Sequence, residues 1–319
     1  MDGMDKFRGC LIGGAVGDAL GFLVEFMSYS EIVDCYGENG IVEFDGDGLI
    51  SDDTQMTLFT AEGLLHGLDV KNVWECYKDW YVTQSKEFGV HSGCRLLLIP
   101  ELFSLRAPGN TCLSAIGNGV MGSIENPMND SKGCGGVMRV APVGLVSSNA
   151  MLAARIAATT HGHPLGYIPA YALAHMVHSI ISDDFVSLLD VVHNMLISVQ
   201  RDFEGNPFLE YFVNLIKRAV ELSQMDMDDL DAIRLLGEGW VAEETLAIAV
   251  YCSLKYSNDF ERAIIVSVNH DGDSDSTGAV TGNILGSFLG LNAIPKHFLE
   301  RLELKDVIIQ MADDLYSVI

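Results

Sequence analysis

Two short stretches carry the oxygen chemistry of this 319-residue chain. The first, NHDGDSDSTGAVTGN at residues 269–283, sets Asp271, Asp273 and Asp275 at alternate positions, adds Ser276 and Thr277, and then runs on without charge. Three chemistries use such a pattern. An EF-hand would take Asp271, Asp273 and Asp275 as loop positions 1, 3 and 5. Its sixth position, where glycine makes the sharp turn, is Ser276, and its twelfth, where a glutamate closes the site, is Gly282, so that reading fails twice. An aspartyl-phosphate phosphatase would use Asp273, Asp275 and Thr277 after a strand at 264–268. The stretch from Thr277 to Ile319 is too short for the rest of a parallel α/β domain, and the chain upstream reads as helix. The third reading is a metal site at a helix N-terminus, where carboxylates complement the helix dipole and offer hard oxygens suited to Mg²⁺, Mn²⁺ or Ca²⁺. Against it stands a plain N-cap box with no metal, and this stretch alone leaves both open.

The second stretch, ISDDTQMTLF, crowds Ser51, Asp52, Asp53 and Thr54 against the start of another helix. Adjacent carboxylates repel each other, and a shared divalent cation is a reason to tolerate that. The two clusters, far apart in sequence, would then meet at a dinuclear centre.

Elements must hold those clusters in place, and two glycine series suggest which. Gly9, Gly13, Gly17 and Gly21 recur every four residues, as do Gly278, Gly282, Gly286 and Gly290. On a helix each series makes one ridge without side chains. Glycine inside a helix costs about 1 kcal/mol relative to alanine, which close approach of another backbone would offset. A bland alternative is that Gly9 or Gly21 only caps a helix end. The expectation is that both ladders line helices at the centre of the domain, packed together, with neither facing solvent.

The remaining chain reads mostly as helix, with apolar periodicity over 54–68, 73–84, 151–160, 168–182, 208–223, 242–256, 260–268 and 304–318. The best strand signal is 41–44, and loops concentrate at 36–53 and 108–136. No linker divides the chain. The expected architecture is all-α: a single compact orthogonal helical domain spanning 1–319, with long loops gathered at one face and a binuclear metal site there. Residues 276–295 carry no charge, but Asn283, Asn292 and several hydroxyls interrupt them, so they read as a buried core helix rather than a membrane span.

Composition excludes several partners. The chain is 49% hydrophobic and 20% charged with a formal net charge of -25, which supports a sizeable core and repels nucleic acid and anionic membranes. A phosphate-bearing ligand would need local compensation from backbone amides, basic side chains or a cation. The seven cysteines are odd in number and form no C-x-x-C, which reads as reduced thiols in a cytoplasmic protein. The apolar N-terminal run ends at Asp18, too short for secretion. His161 and His163 form an H-x-H pair with no third nitrogen or sulfur ligand in view, which is little support for zinc. His175 and His178 read as packing or surface residues.

The pair SDDTQM and HDGDSDSTGAVTGN resembles the ADP-ribosylglycohydrolase family, relatives of dinitrogenase reductase-activating glycohydrolase. GCLIGGAVGDALGFLVEF, GCGGVMRVAPVGL and THGHPLGY are similar to the same family, and the five motifs run in order from Gly9 to Gly290. The resemblance implies an all-α fold with two divalent cations, Mg²⁺ or Mn²⁺, that removes ADP-ribose from a modified side chain. Carried over by position, the metal ligands would be Ser51, Asp52, Asp53, Asp273, Asp275 and Ser276, with serine at two positions where threonine is common. Asp271 lies outside the pattern. Glu25 matches a glutamate that gates the site or acts as base, and Asp53 and Asp273 would join it as catalytic carboxylates. The loop at 132–136 matches a ligand-cradling loop, so Gly133, Cys134, Gly135, Gly136 and Met138, with Arg139 following, would surround the nucleotide. Glycines there allow close approach, and successive amides can hold a pyrophosphate. His161 would touch the substrate's ribose or phosphate, while His163 would be structural. DSDSTG looks closer to the arginine-specific branch, so the implied substrate is ADP-ribosyl-arginine, on a protein or a small molecule, with ADP-ribose as product. The alternatives are a non-catalytic ADP-ribose-binding or crystallin-like relative and a hydrolase of O-linked ADP-ribose. All six ligand positions keep an oxygen side chain, which favours an enzyme.

Overall fold

The glycine ladders decide the centre of the molecule. A computed structural model describes residues 3–89, 91 and 93–319. The first ladder lies on α1 (Gly3–Gly21) and most of the second on α14 (Ser274–Leu289), which closes on Gly290 at its C-cap. The two helices run antiparallel, backbone against backbone. A Cβ added to Gly9 would strike the Gly286 carbonyl, one on Gly13 the Gly282 carbonyl, and one on Gly17 the Gly278 carbonyl. A Cβ on Gly21 would meet Ser274 and Asp275. Both ladders are buried throughout. The antiparallel register brings the C-terminal end of α1 against the N-terminal end of α14, so the pairing that needs the glycines also delivers the residues after Gly21 to the aspartates around residue 274.

Fourteen further helices complete the chain order. They are α2 (Tyr29–Tyr36), α3 (Asp52–Leu65), α4 (Val70–Ser85), α5 (Asn110–Gly117), α6 (Ala141–Val146), α7 (Met151–Ala158) and α8 (Pro164–Ser182); then α9 (Leu188–Asp202), α10 (Leu209–Ser223), α11 (Asp229–Arg234), α12 (Ala242–Lys255) and α13 (Phe260–Val268); and, after α14, α15 (Lys296–Arg301) and α16 (Lys305–Tyr316). One continuous apolar core, from Phe7 to Leu315, joins them into a single all-α domain. No helix among the described residues is long and apolar enough to cross a membrane.

The strand expected at 41–44 is absent, and the described residues contain no paired strands, only two isolated bridges. The reason is local. The Ile41 amide donates to Asn269 Oδ1 at 2.8 Å, and Asn269 Nδ2 donates back to the Ile41 carbonyl at 2.8 Å. One side chain does the work of a partner strand, so β-branched composition alone does not create a ladder. The periodic segments are helices, with ends shifted by capping. α3 starts two residues before the pattern because Ser51 caps it and accepts from the Asp53 amide at 3.2 Å. α8 begins at Pro164, with His163 Nδ1 accepting from the Leu165 amide at 3.0 Å, so His163 is a helix cap.

Candidate metal centre

Three structural pieces converge on one cleft of about 410 Å³. The turn after α1 supplies Glu25 and Phe26, the start of α3 supplies Asp52 and Asp53, and the start of α14 supplies Asp273, Asp275 and Ser276. Segments without a long helix complete it: residues 107–112, and the 133–138 loop with Trp240, whose carbonyl accepts from the Cys134 amide at 3.2 Å.

Each half is locked by backbone geometry. Asp273 is the N-cap of α14, its amide donates to the Glu238 carbonyl at 2.9 Å, and its Oδ1 accepts from the Ser276 amide. On the α3 side, Asp52 Oδ2 accepts from the Gly109 amide at 3.2 Å. The halves join directly where Ser276 Oγ donates to Asp53 Oδ2 at 2.9 Å. Below them lies Asp18, fully buried on α1. It accepts from the Ser51 amide at 3.0 Å and the Thr54 amide at 3.1 Å, and so pins the start of α3 to the laddered helix. In the sequence Asp18 reads only as the end of an apolar run; its partners lie on another helix, and no spacing pattern marks it.

The electrostatics are those of a cation site. No lysine or arginine lines the cleft. The nearest basic side chain on the glycine loop, Lys132, is paired with Glu243. Burial, reinforced by the charges of Asp275, Asp52 and Asp18, pushes the Glu25 carboxyl up to about 9. Burial and Asp275 raise Asp18 to about 7, and burial with neighbouring carboxylates drives Asp52, Asp53 and Asp273 well above the carboxylate range. Bound protons or a cation would relieve that crowding of charge. Glu25 Oε2 is buried with no hydrogen-bond partner, and ligand atoms from Glu25, Asp273 and Asp275 lie within 4.8 Å of one another. Oxygens on opposite sides of one divalent ion are separated by about 4.2–4.8 Å, so this set fits such an ion.

Of the residues expected at the site, the cleft brings together Glu25, Asp52, Asp53, Gly133, Cys134, Gly135, Met138, His161, Asp273, Asp275 and Ser276. Ser51 and Gly136 do not line it. Ser51 Oγ faces the Asp53 amide as a cap, and Gly136 packs against the Gly166 carbonyl. Glu25, expected as gate or base, stands in the same triad as two expected ligands.

The glycine loop differs from the expected amide cradle. The Gly133 amide donates to Ser131 Oγ, the Cys134 amide to the Trp240 carbonyl and the Gly136 amide to the Gly133 carbonyl. The glycines serve clearance instead. A Cβ on Gly135 would lie 2.9 Å from both Cys112 Sγ and His161 Cε1. Burial, followed by the Asp273 and Asp53 charges, raises the Cys134 thiol well above its ordinary range.

Phe26 and Trp240, not anticipated from the sequence, stack at the mouth with centroids 5.9 Å apart and remain 73% and 38% exposed. Two exposed aromatic rings beside buried charges offer a face for a planar group. Asp271 stands outside the cleft. It accepts from the Tyr29 amide at 2.8 Å and pairs with Arg234 at 2.9 Å, tying α2 to α11. A larger hollow of about 720 Å³ lies there, lined by Arg234, Glu238, Glu244 and His270. There Asp271 is paired with Arg234 and Glu244 accepts from the Glu238 and Gly239 amides, whereas the crowded carboxylates lie in the smaller cleft.

A family model described as ADP-ribosylglycohydrolase matches residues 1–319. The ADP-ribosyl-[dinitrogen reductase] glycohydrolase of Rhodospirillum rubrum is 27% identical over 94% of this chain and 91% of its own. The ADP-ribosylhydrolase ARH3 of Homo sapiens is 24% identical over 94% and 90%. A solved structure titled "ADP-ribosylglycohydrolase-related protein complex" superposes with a TM-score of 0.71 at 26% identity, covering 99% of this chain and 98% of that one.

Proposed function

The chain belongs to the ADP-ribosylglycohydrolase family, enzymes that hydrolyse ADP-ribose linkages, and from that premise we propose that it cleaves the N-glycosidic bond of ADP-ribosyl-arginine with the help of two divalent cations, Mg²⁺ or Mn²⁺. The observation that carries the cation requirement is the triad of Glu25, Asp273 and Asp275 in a cleft with no lysine or arginine among its described lining residues. Glu25, Asp273 and Asp275 would hold one ion, and Asp52, Asp53 and Ser276 would supply oxygens for the other. Such ions would supply Lewis-acid chemistry, stabilising negative charge on the sugar oxygens and on water.

The chain's own residues supply the rest. Cleavage at the anomeric carbon builds positive charge in an oxocarbenium-like state, and the Asp53 and Asp273 carboxylates stabilise that charge. With a cation bound in place of its proton, Glu25 would take a proton from the attacking water. His161 and the glycine loop hold the nucleotide end, and Phe26 with Trp240 walls the mouth. The arginine linkage rests on DSDSTG and on the likeness to the ADP-ribosylarginine hydrolase Tri1 of Serratia proteamaculans, 24% identical over 99% of this chain and 80% of its own.

The test is a side-by-side incubation with arginine-, serine- and nucleic-acid-linked ADP-ribose, each with Mg²⁺, with Mn²⁺ and with chelator. Release of ADP-ribose from the arginine conjugate alone, abolished by chelator, is the expected result. Faster release from the serine conjugate would move the assignment to an O-linked substrate.

A further inference from the structure

His161 faces the cleft with a chain of buried polar groups behind it that the reading so far leaves unexplained. Thr160 Oγ1 lies 2.8 Å from His161 Nδ1, and Arg139 Nη2 donates to Thr160 Oγ1 at 2.6 Å. Arg139 is 0% exposed, and among the described residues its recorded partners include no carboxylate. Its guanidinium sits 4.5 Å over the Tyr77 ring, and Nη1 contacts Cys112 Sγ at 3.2 Å and Met56 Sδ at 3.5 Å. A charge buried this way is expensive, which asks what it does there.

The hydrogen bonds answer by counting protons. A guanidinium is donor only, so Thr160 Oγ1 must accept from Arg139. The hydroxyl then has one proton of its own to give. The acceptors within reach are His161 Nδ1 at 2.8 Å and the Ala157 carbonyl at 3.4 Å. The shorter bond takes the proton, and the cation beside Oγ1 makes the hydroxyl a better donor. Nδ1 is therefore the acceptor, and the ring proton sits on Nε2. That nitrogen lies on the side of the glycine loop, where a Cβ on Gly135 would come within 3.2 Å of it and one on Gly133 within 3.4 Å.

We propose that Arg139 and Thr160 are positioning residues that fix His161 in its Nε2–H tautomer, so that the ring presents a permanent hydrogen-bond donor to an acceptor oxygen of the bound ADP-ribosyl unit; this use of the donor rests on the functional reading above. The cleft's carboxylates accept, three of the loop's amides are engaged within the protein, and no lysine or arginine lines it among the described residues, so His161 adds a fixed neutral donor to those of Asn110, Thr111 and Trp240. Burial and, after it, the Arg139 charge lower the ring's proton affinity to about 3, so the donor carries no charge of its own. Arg139 thus acts on the ligand through a hydroxyl and a ring rather than as an exposed charge that would pair with the carboxylates.

The tautomer is read directly from long-range ¹H–¹⁵N correlations of the imidazole ring in ¹⁵N-labelled full-length protein, with His161→Gln used to assign the signals. Wild type should show Nδ1 unprotonated and Nε2 protonated. Thr160→Val, which keeps the side chain's shape, should lose that signature, weaken ADP-ribose binding about five- to tenfold by calorimetry, and raise KM with little change in kcat. Thr160→Ser should restore all three, which a purely structural role would not predict. Arg139→Met should behave like Thr160→Val; where it does not fold, the threonine pair decides. An Nδ1–H tautomer in wild type, or Thr160→Val with unchanged signature and affinity, overturns the proposal. If no variant binds ADP-ribose but the signature still depends on Thr160, the functional reading fails and the tautomer relay stands.

Discussion

Two clusters of buried acid in this molecule have opposite fates. Asp229, on α11, is half-buried and surrounded by donors: Tyr251 and Tyr256 hydroxyls at 2.7 Å, Lys255 at 2.8 Å and Arg262 at 3.3 Å. Burial works to raise its carboxyl, but the bonds from Lys255, Tyr256 and Tyr251 outweigh it and hold the group below the ordinary range. The cleft acids have no such company. Burial and their own mutual repulsion push Glu25, Asp52, Asp53 and Asp273 up, and among the described residues no lysine or arginine lines their cleft. One cluster is a finished structural joint held by ionic side chains. The other is held by backbone, through the glycine ladders, the caps and Asp18, and is left short of positive charge. Function sits where the protein has fixed the geometry and withheld the counter-charge.

The sharpest way to break that contrast is the same substitution made in both places. Asp275→Asn should lower hydrolysis by at least about 10³-fold, roughly 4 kcal/mol of transition-state stabilisation, while circular dichroism and melting show an intact fold. Asp229→Asn should do the reverse, costing about 1–2 kcal/mol of stability in denaturant titration, since it loses charge-assisted bonds at a partly exposed site, with activity near wild type. Full activity in Asp275→Asn would remove the proposed centre.

Backbone support is tested next. Gly282→Ala gains helix propensity but places a methyl against the Gly13 carbonyl. A net loss of about 2 kcal/mol or more in denaturant titration is expected, with reduced metal affinity because the start of α14 shifts. A neutral result would mean that the ladders tolerate separation and do not position the site.

Much of this contrast was legible in the sequence, and the illegible part has a physical pattern. The ladders and the two acid clusters could be read because they are local and periodic: glycine every fourth residue, carboxylates at helix starts. The five motifs named the family for the same reason. The 41–44 segment could not be read correctly, because its backbone partners come from one asparagine side chain. Asp18 and the Arg139–Thr160–His161 relay were invisible because each joins residues whose proximity exists only after the helices pack. Phe26 and Trp240 carry no spacing signal at all. Ser51, read as a ligand, and Gly136, read as a cradle residue, stand just behind the cleft, where Ser51 Oγ caps α3 and Gly136 packs against the Gly166 carbonyl of α8.

Cation binding should separate the two clusters by a smaller margin. Mn²⁺ or Mg²⁺ at about a hundred times its dissociation constant should stabilise wild type by about 2.7 kcal/mol per independent site, seen as a rise in melting temperature that chelator reverses. Asp229→Asn should keep the effect and Asp275→Asn should lose most of it. Equal stabilisation of both variants would place the ion elsewhere.

The two clusters should also pull stability in opposite directions with pH. A carboxyl whose folded-state pKa is raised contributes stability that is fully present below its unfolded value, near 4, and lost as pH rises through the folded value. For Asp18 that loss runs from about 4 to about 7, and for Glu25 up to about 9. Chelated protein should therefore weaken as pH climbs from about 5 to 7, by about 1 kcal/mol per unit from the fully buried Asp18. Asp229 has the opposite sign. Its lowered pKa contributes stability present above about 4 and lost in more acidic solution, outside that window. Cation loading replaces the protons at the cleft, since metal and proton compete for the same oxygens, so with saturating Mn²⁺ the slope between about 5 and 7 should vanish or reverse. Melting curves across pH, with and without Mn²⁺, measure both slopes. A chelated protein that gains stability toward pH 7 would show that the cleft acids are already compensated without a cation, and the difference between the two clusters would collapse.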